Sequence, residues 1–119
     1  MAASAAPWKQ LIMNALELNS NLKHSSYVQF ATIGSYGRPA NRTVVFRGFH
    51  DDSNKIQINT DSRNCKVEEL KQCPIAEICW YFTDSWEQFR IKGSVGPVKL
   101  QVRIAKLCLS CFCSEASSF

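Results

Sequence analysis

The clearest pattern in the chain is the alternation of apolar and polar residues that is typical of β-strands. It is strongest over Ile75 to Thr83, where four apolar residues fall on one face: Ala76, Ile78, Trp80 and Phe82. Weaker alternation marks segments 27–33, 40–47, 55–59 and 86–95. Turn-forming residues separate these segments, most clearly Gly34 to Pro39, in which Gly37 is free to adopt positive φ. The pattern predicts a mainly β fold with hairpin connections.

Apolar residues at helical spacing mark three other segments. Residues 7–19 begin with Pro7, which suits a first helical turn, and carry an apolar stripe that predicts core packing. Residues 60–64 offer capping side chains before a short helix that Pro74 ends. Residues 100–109 have the pattern of a basic amphipathic helix, because Leu100, Ile104 and Leu107 fall on one side. We therefore expect flanking helices around the strands.

Composition indicates one globular domain, and the charge distribution argues against a nucleic-acid partner. The chain has 119 residues, of which 45% are hydrophobic and 20% charged. Residues 1–89 contain nine basic and nine acidic residues, so the whole net charge of +4 lies in residues 90–119. That excess is outside the best-patterned part of the chain, so it is weak support for nucleic-acid binding.

The cysteines and the absence of long apolar runs predict a cytoplasmic protein, with the plastid as the other candidate compartment. No apolar run approaches the roughly 20 residues of a membrane helix, and no secretory leader is present. Six cysteines without a leader are expected to be free thiols. Cys108, Cys111 and Cys113 are clustered, but a zinc site needs four ligands, and His24 and His50 are distant in sequence. No metal site is predicted.

Basic residues between Arg42 and Lys66 are the main candidates for chemistry. One strand carries Arg42 and Arg47, the next ends at Asn59-Thr60, and Lys66 follows at a helix start. Guanidinium and ammonium groups, a hydroxyl and free helix N–H groups together suit a phosphate monoester. The alternative is that these are ordinary solvated charges on hairpin edges, and the residue types alone favour that alternative.

Strand geometry makes a single phosphate site for both arginines difficult. Alternation puts Arg42, Val44 and Phe46 on one face and Thr43, Val45 and Arg47 on the other. The two arginines meet one ligand only if a bulge near Gly48 redirects Arg47, or if the ligand wraps around the end of the strand.

The order and spacing of several motifs resemble the pyridoxamine 5′-phosphate oxidase family, and more narrowly its plant and cyanobacterial FMN-binding branch. The motifs are Arg42-Thr-Val-Val-Phe-Arg47, Ile58-Asn-Thr60, Lys66, and Trp80 followed by Gln88-Phe-Arg-Ile-Lys-Gly93. The resemblance runs from about Trp8 to Val95. It implies an antiparallel FMN-binding split β-barrel with an N-terminal helix, working as a homodimer with FMN in a groove between subunits. We accordingly divide the chain into an FMN-binding core over 1–95 and a divergent cysteine-containing tail over 96–119.

The resemblance also implies a site and an activity in vitamin B6 metabolism. Nine matching positions would contact the flavin: Arg42, Thr43, Val44, Val45, Arg47, Asn59, Thr60, Lys66 and Gln88. Arg47 would in addition be the catalytic residue that reaches substrate. The implied reaction oxidises pyridoxamine or pyridoxine 5′-phosphate to pyridoxal 5′-phosphate, with hydride transfer to flavin N5 and reoxidation by oxygen to give peroxide.

The chain departs from the family pattern in two places. The family's Ser-Arg-Lys triplet falls on Asn64, Cys65 and Lys66, so Cys65 replaces the arginine, and Arg63 lies two positions too early to substitute for it. After Val95 we find neither the family's further strands, nor its tyrosine-arginine-serine phosphate motif, nor its C-terminal tryptophan and arginine. We therefore expect a barrel with an incomplete C-terminal part and impaired activity.

Two other functions compete with the oxidase. One is a non-catalytic flavin-binding module or an inactive truncated isoform. The other is a small basic β-domain that stacks single-stranded nucleic acid on four aromatic residues: Tyr27, Phe30, Trp80 and Trp86. The charge distribution disfavours this last function, because the aromatic strands lie in the neutral part of the chain.

Overall fold

The structure is a computed structural model that describes residues 6–50, 53–61, 63, 65–96, 99–101 and 104–118. Its elements in chain order are α1 (Pro7–Leu18), β1 (Tyr27–Ile33), β2 (Pro39–Phe49), β3 (Ile56–Asp61), α2 (Cys65–Gln72), β4 (Ile75–Phe82), β5 (Glu87–Val95), β6 (Lys99–Gln101) and β7 (Ile104–Ser118). Short 3₁₀ turns at Lys23–Ser26 and Ser35–Gly37 precede β1 and β2. The predicted strands and the first two predicted helices are present, with small shifts at their ends.

The strands form an antiparallel barrel. Their order in the sheet is β3-β2-β1-β4-β5-β7-β6, and β7 also pairs with β3. That second pairing runs from Ile56 opposite Leu109 to Asp61 opposite Ile104, so six strands close into a ring. Closing a sheet removes the open edges on which other chains could pair. The predicted mainly β, antiparallel barrel is confirmed.

The tail contradicts the sequence prediction. The described residues within 100–109 do not form an amphipathic helix; they belong to β6 and to the first part of β7. Leu107 and Leu109 alternate into the core, each 1% exposed, which is the two-residue period of a strand. The expectation that no further strand follows Val95, and that the barrel is therefore incomplete, was also wrong. β7 is 15 residues long and bridges β5 and β3.

Glycine is required where β7 packs most closely on β5. The register shifts there, since Lys92 pairs with Cys113 and Gly93 pairs with Cys111, leaving one extra residue on β7. A Cβ placed on Gly93 would lie 2.3 Å from the backbone oxygen of Ser110. A side chain at this position would therefore push the two strands apart.

Inward-facing strand residues fill the barrel, and α1 packs against it. Trp80 is fully buried, and its Nε1 donates a hydrogen bond of 2.7 Å to the Ser25 carbonyl. Ile12 and Ala15 of α1 are also fully buried, as the predicted core stripe requires, whereas Leu11 of the same stripe is 47% exposed. The fully buried Asn19 joins the end of α1 to the β4–β5 turn, because it donates to Ser85 and accepts from the Asp84 backbone N–H.

The described residues include free thiols and two short α-helices. Cys73, Cys79 and Cys108 are free thiols. The side chains of Cys65 and Cys113 lie outside the described residues. No group of metal-ligating side chains occurs in the part of the chain that the structure describes. The two described α-helices, 12 and 8 residues long, fall short of a membrane span.

Candidate functional site

One group of predicted residues is joined to α2 by hydrogen bonds from β2 and β3. Lys66 is 3% exposed, and its Nζ donates to Thr60 Oγ1 at 2.5 Å. Glu69, one helical turn further on the same face of α2, accepts a hydrogen bond from Arg42 Nη2 at 3.0 Å. Arg42, Thr60 and Lys66 therefore border the same face of α2. Together with Glu69 and Thr32 we call them the α2 cluster.

Arg42 is held by three acceptors within this cluster. Its Nη1 donates to the Phe30 carbonyl at 3.1 Å and to Thr32 Oγ1 at 2.8 Å. Its Nη2 forms the ion pair with Glu69, and the Thr32 hydroxyl donates to the same Glu69 oxygen at 2.9 Å. The side chains of Arg42 and Glu69 are only 23% and 18% exposed. The guanidinium is thus fixed in place by strand and helix together.

Sequence reasoning missed Glu69 and Thr32. The sequence did offer an indication for Thr32, because it is a polar residue on the otherwise apolar face that carries Val28 and Phe30. Glu69 follows Lys66 by three residues, which places both on one side of a helix. Its contact with Arg42 depends on how α2 docks, and no local pattern reports that.

A second group of predicted residues lies on the outer face of the sheet. Thr43 is exposed there and exchanges hydrogen bonds of 3.0 and 3.2 Å with Gln29. Across the next strands, Cys79 Sγ donates to Gln88 Oε1 at 3.6 Å. An outer cleft of about 270 Å³ is lined by His24, Tyr27, Gln29, Thr43, Cys79 and Tyr81. Thr43 therefore lines this cleft, and Gln88 lies at its margin.

Cys79 is a protonated donor in this cleft. Burial raises the pKa of its thiol, the nearby Arg90 lowers that pKa, and Glu77 raises it. The net effect is a raised pKa, so the thiol keeps its hydrogen near neutral pH and donates it to Gln88. The bond helps to fix the amide orientation of Gln88.

Arg47 lies apart from the α2 cluster. The β2–β3 register shifts between Phe46 and Phe49, and Gly48 has φ of +106°, so a bulge near Gly48, one of the two alternatives from the sequence, is present. Five strand residues at about 3.3 Å each separate Arg42 from Arg47 by roughly 16 Å. The exposed guanidinium of Arg47 has no hydrogen-bond or ion-pair partner within the described ranges. No hydrogen bond or ion pair among the described residues joins Arg47 to the α2 cluster.

The remaining predicted residues fall between these positions. Val44 is 8% exposed, and its side chain belongs to the core. Val45 and Asn59 are half-buried. Arg63 is 70% exposed and bound to Asp61 at 2.7 Å. Residues 62 and 64 and the side chain of Cys65 lie outside the described residues, so the helix cap and the missing arginine of the triplet are not tested.

Comparison with known proteins gives a consistent match. Residues 5–99 match the family model described as pyridoxamine 5′-phosphate oxidase, FMN-binding domain. The chain is 65% identical over 95 residues to pyridoxine/pyridoxamine 5′-phosphate oxidase 2 of Arabidopsis thaliana, which covers 80% of this chain and 48% of that protein. It is 33% identical over 121 residues to an uncharacterized protein of Saccharomyces cerevisiae, covering 87% of this chain and 40% of the other. The chain thus spans about half the length, or less, of these curated relatives.

A solved structure extends the match beyond the residues covered by the family model. A pyridoxamine 5′-phosphate oxidase-related, FMN-binding protein from Nostoc punctiforme is similar with a TM-score of 0.89 and 28% identity. The match covers 98% of this chain and 87% of that one. The family model ends at residue 99, whereas the structural likeness includes nearly all of β7.

Proposed function

The chain belongs to the pyridoxamine 5′-phosphate oxidase family, through that family's FMN-binding domain, and on this premise we propose that the α2 cluster binds the phosphate of FMN. Arg42, Thr60 and Lys66 would hold the phosphate, and Asn59 would lie beside it. The observation that carries the proposal is that Arg42 bonds to Glu69 and Thr60 bonds to Lys66, two α2 residues one helical turn apart.

The chemistry of the α2 cluster fits a phosphate. Two cations and one carboxylate leave a net positive charge, and Lys66 lies in the first turn of α2, where helix N–H groups favour an anion. Guanidinium and ammonium donors form short, strong hydrogen bonds to phosphate oxygens. The single carboxylate, Glu69, is already paired with Arg42 and Thr32.

We propose that the flavin ring is held by groups on the outer face of the sheet. Thr43 and Gln88 supply a hydroxyl and an amide, and Val44 and Val45 supply backbone and apolar contact. The exposed Tyr27 and Tyr81, each 45% exposed beside the same cleft, would be covered in a homodimer. A ring site shared between two subunits accounts for the separation of these residues from the α2 cluster.

As the activity, we propose oxidation of pyridoxamine or pyridoxine 5′-phosphate to pyridoxal 5′-phosphate in the cytoplasm or plastid. Bound FMN supplies the hydride acceptor and the reaction with oxygen. Arg47 would orient the substrate phosphate, because its guanidinium is exposed and pairs with none of the described side chains. Such positioning lowers the entropy cost of bringing substrate and cofactor together.

A non-catalytic flavin-binding module is the second candidate. One departure from the family pattern favours it, since Cys65 stands at the position of the triplet arginine. In a module of this kind the α2 cluster would still bind the FMN phosphate, but Arg47 would contact no substrate.

Two measurements on the purified protein test these proposals. An absorbance scan and an FMN titration followed by flavin fluorescence test cofactor binding, and we expect saturable binding. Peroxide release with pyridoxamine 5′-phosphate then separates the oxidase from the module. A protein that binds no flavin at any concentration refutes both functions, and salt-sensitive binding to oligonucleotides would support the nucleic-acid alternative instead.

A further inference from the structure

Glu69 is the centre of a polar network that joins α2 to β1 and β2. One of its carboxylate oxygens accepts from Arg42 Nη2 at 3.0 Å and from Thr32 Oγ1 at 2.9 Å. Thr32 in turn accepts from Arg42 Nη1 at 2.8 Å, so the three side chains form a closed triangle. Thr32 is 3% exposed and Glu69 is 18% exposed, so water competes little for these bonds.

The turn after β1 is shaped around the same carboxylate. A Cβ placed on Gly34 would lie 2.7 Å from Glu69 Oε2 and 3.3 Å from the Arg38 carbonyl. Gly34 is held there by its backbone N–H, which donates to the Arg38 carbonyl at 2.7 Å. The carboxylate therefore has a defined place between the turn, the strand and the helix, unlike an exposed glutamate that rotates freely.

The network uses only part of the donor capacity of Arg42. A guanidinium carries five N–H donors. Three of them are used, two on Nη1 and one on Nη2. The Nε–H and the second Nη2 hydrogen have no acceptor among the residues that the structure describes. These two neighbouring donors form a fork of the kind that binds two phosphate oxygens at once.

We propose that Glu69 and Thr32 are positioning residues for Arg42: they hold one edge of its guanidinium so that the Nε–Nη2 edge is presented to the FMN phosphate. The inference rests on the proposed FMN site and adds residues that touch no ligand themselves. A carboxylate near an anion also repels it, so the opposite role, competition with phosphate for Arg42, is the rival explanation. We favour preorganisation because Arg42 and Thr32 already compensate the charge of Glu69. The Nε–H and second Nη2 hydrogen of Arg42 then keep a fixed orientation for the phosphate.

The test compares FMN with riboflavin, which lacks the phosphate. Dissociation constants for both flavins are measured by flavin fluorescence for the wild-type chain and for Glu69→Gln. Glutamine has the same shape as glutamate and therefore fits in the same space beside Gly34. We expect Glu69→Gln to weaken FMN binding about tenfold, equivalent to 1.4 kcal/mol, and to leave riboflavin affinity within about twofold. A loss of stability alone would weaken both ligands together.

Glu68→Gln is the matched control, since it makes the same chemical change on the same helix. Glu68 is 71% exposed and pairs only loosely with Lys71, at 3.5 Å. We expect both affinities to stay at wild-type values. Thr32→Ser, which keeps the hydroxyl, should preserve the FMN preference over riboflavin, and Thr32→Val, which removes it, should reduce that preference. This pair decides the matter if Glu69→Gln does not fold.

The outcomes that overturn the inference are distinct. FMN binding that is unchanged or tighter in Glu69→Gln shows that Glu69 is neutral or a competitor. Equal losses for FMN and riboflavin show a structural role only. A wild-type chain that binds both ligands equally, or neither, refutes the proposed phosphate site itself, and the role of Glu69 with it.

Discussion

At the scale of single residues, the guanidinium of Arg42 serves both the fold and the proposed phosphate site. Its three bonds tie β2 to β1 and α2, and its other two N–H donors have no acceptor among the described residues. A residue with both roles cannot be tested by loss of binding alone. Its substitution must be read together with a measure of folding.

Replacing Arg42 with alanine should remove most FMN binding. Charge-assisted hydrogen bonds contribute about 1.5–3 kcal/mol each, so we expect FMN affinity to fall roughly 10- to 100-fold. The measurement is flavin content after purification and FMN titration, with circular dichroism to confirm folding. Arg63→Ala is the control, because Arg63 is exposed and bound to Asp61, and it should keep wild-type flavin content. Unchanged flavin content in Arg42→Ala would refute the phosphate site.

The thiol of Cys79 should react slowly with alkylating reagents. Its pKa is raised, chiefly by burial, and the thiolate is the reactive form, so its alkylation should rise only at a pH above that of an ordinary cysteine. Mass spectrometry of iodoacetamide-treated protein over a pH series measures this. The same shift stabilises the fold below the usual thiol pKa, and that contribution is lost as pH rises through the raised value. A thiolate already present at neutral pH would contradict the prediction.

At the scale of elements, the pairing of β5 with β7 depends on one missing side chain. Gly93 lies against the Ser110 backbone at the point where β7 has its extra residue. Backbone cannot move aside as a flexible side chain can, so the strain of any Cβ falls on the pairing itself. The bulge in β7 and the glycine in β5 are therefore both needed for the two strands to pair at this point.

Gly93→Ala should destabilise the protein by roughly 1–3 kcal/mol or more, because it overpacks this contact. Urea unfolding followed by tryptophan fluorescence measures the change. Gly96→Ala is the matched control, since a Cβ there would lie 3.9 Å from the Cys108 carbonyl, an ordinary contact. It should be neutral or stabilise by up to about 1 kcal/mol. Equal effects of the two substitutions would show that the close approach is unimportant.

Elements with a strong local pattern could be predicted from sequence, and the tail could not. Ile75–Phe82 alternates regularly and is β4 as predicted. In the tail, Leu100, Ile104 and Leu107 fit a helical spacing, while Leu107 and Leu109 also fit a strand. Pairing with β3 and β5, elements distant in sequence, decided between the two. Local periodicity contains no information about such partners.

The candidate site also contains some features that could be predicted from the sequence and others that could not. The bulge at Gly48 could be inferred, because strand alternation made the two arginines incompatible with one ligand and a glycine follows Arg47. The resemblance to a known family supplied the list of flavin contacts, which composition and spacing alone did not favour. The triangle of Arg42, Thr32 and Glu69 was out of reach, since it forms only when α2 docks on the sheet.

At the scale of the whole molecule, stability depends on closure of the ring by β7. Leu107 and Leu109 place two buried side chains between β3 and β5, and each is 1% exposed. The barrel has no other described strand that could pair with both neighbours. The segment after residue 99, where the match to the family model ends, thus contributes to the core.

Leu109→Ala should cost about 2–5 kcal/mol of unfolding free energy, through lost burial and a cavity. Leu18→Ala is the control, because the same substitution at a leucine that is 66% exposed should change stability by less than about 0.5 kcal/mol. Thermal or urea unfolding of the two variants measures the difference. Similar values for both would show that β7 is not part of the cooperative core.

Ring closure by β7 also sets a constraint on biosynthesis. Ile56 of β3 can pair with Leu109 of β7 only after the ribosome has synthesised the strands between them. Until then the nascent polypeptide exposes the unpaired edges of β3 and β5, to which chaperones or neighbouring nascent chains can bind. Production of this protein in a host should therefore improve with slower translation or added chaperone, because the barrel closes only when β7 pairs with both β3 and β5.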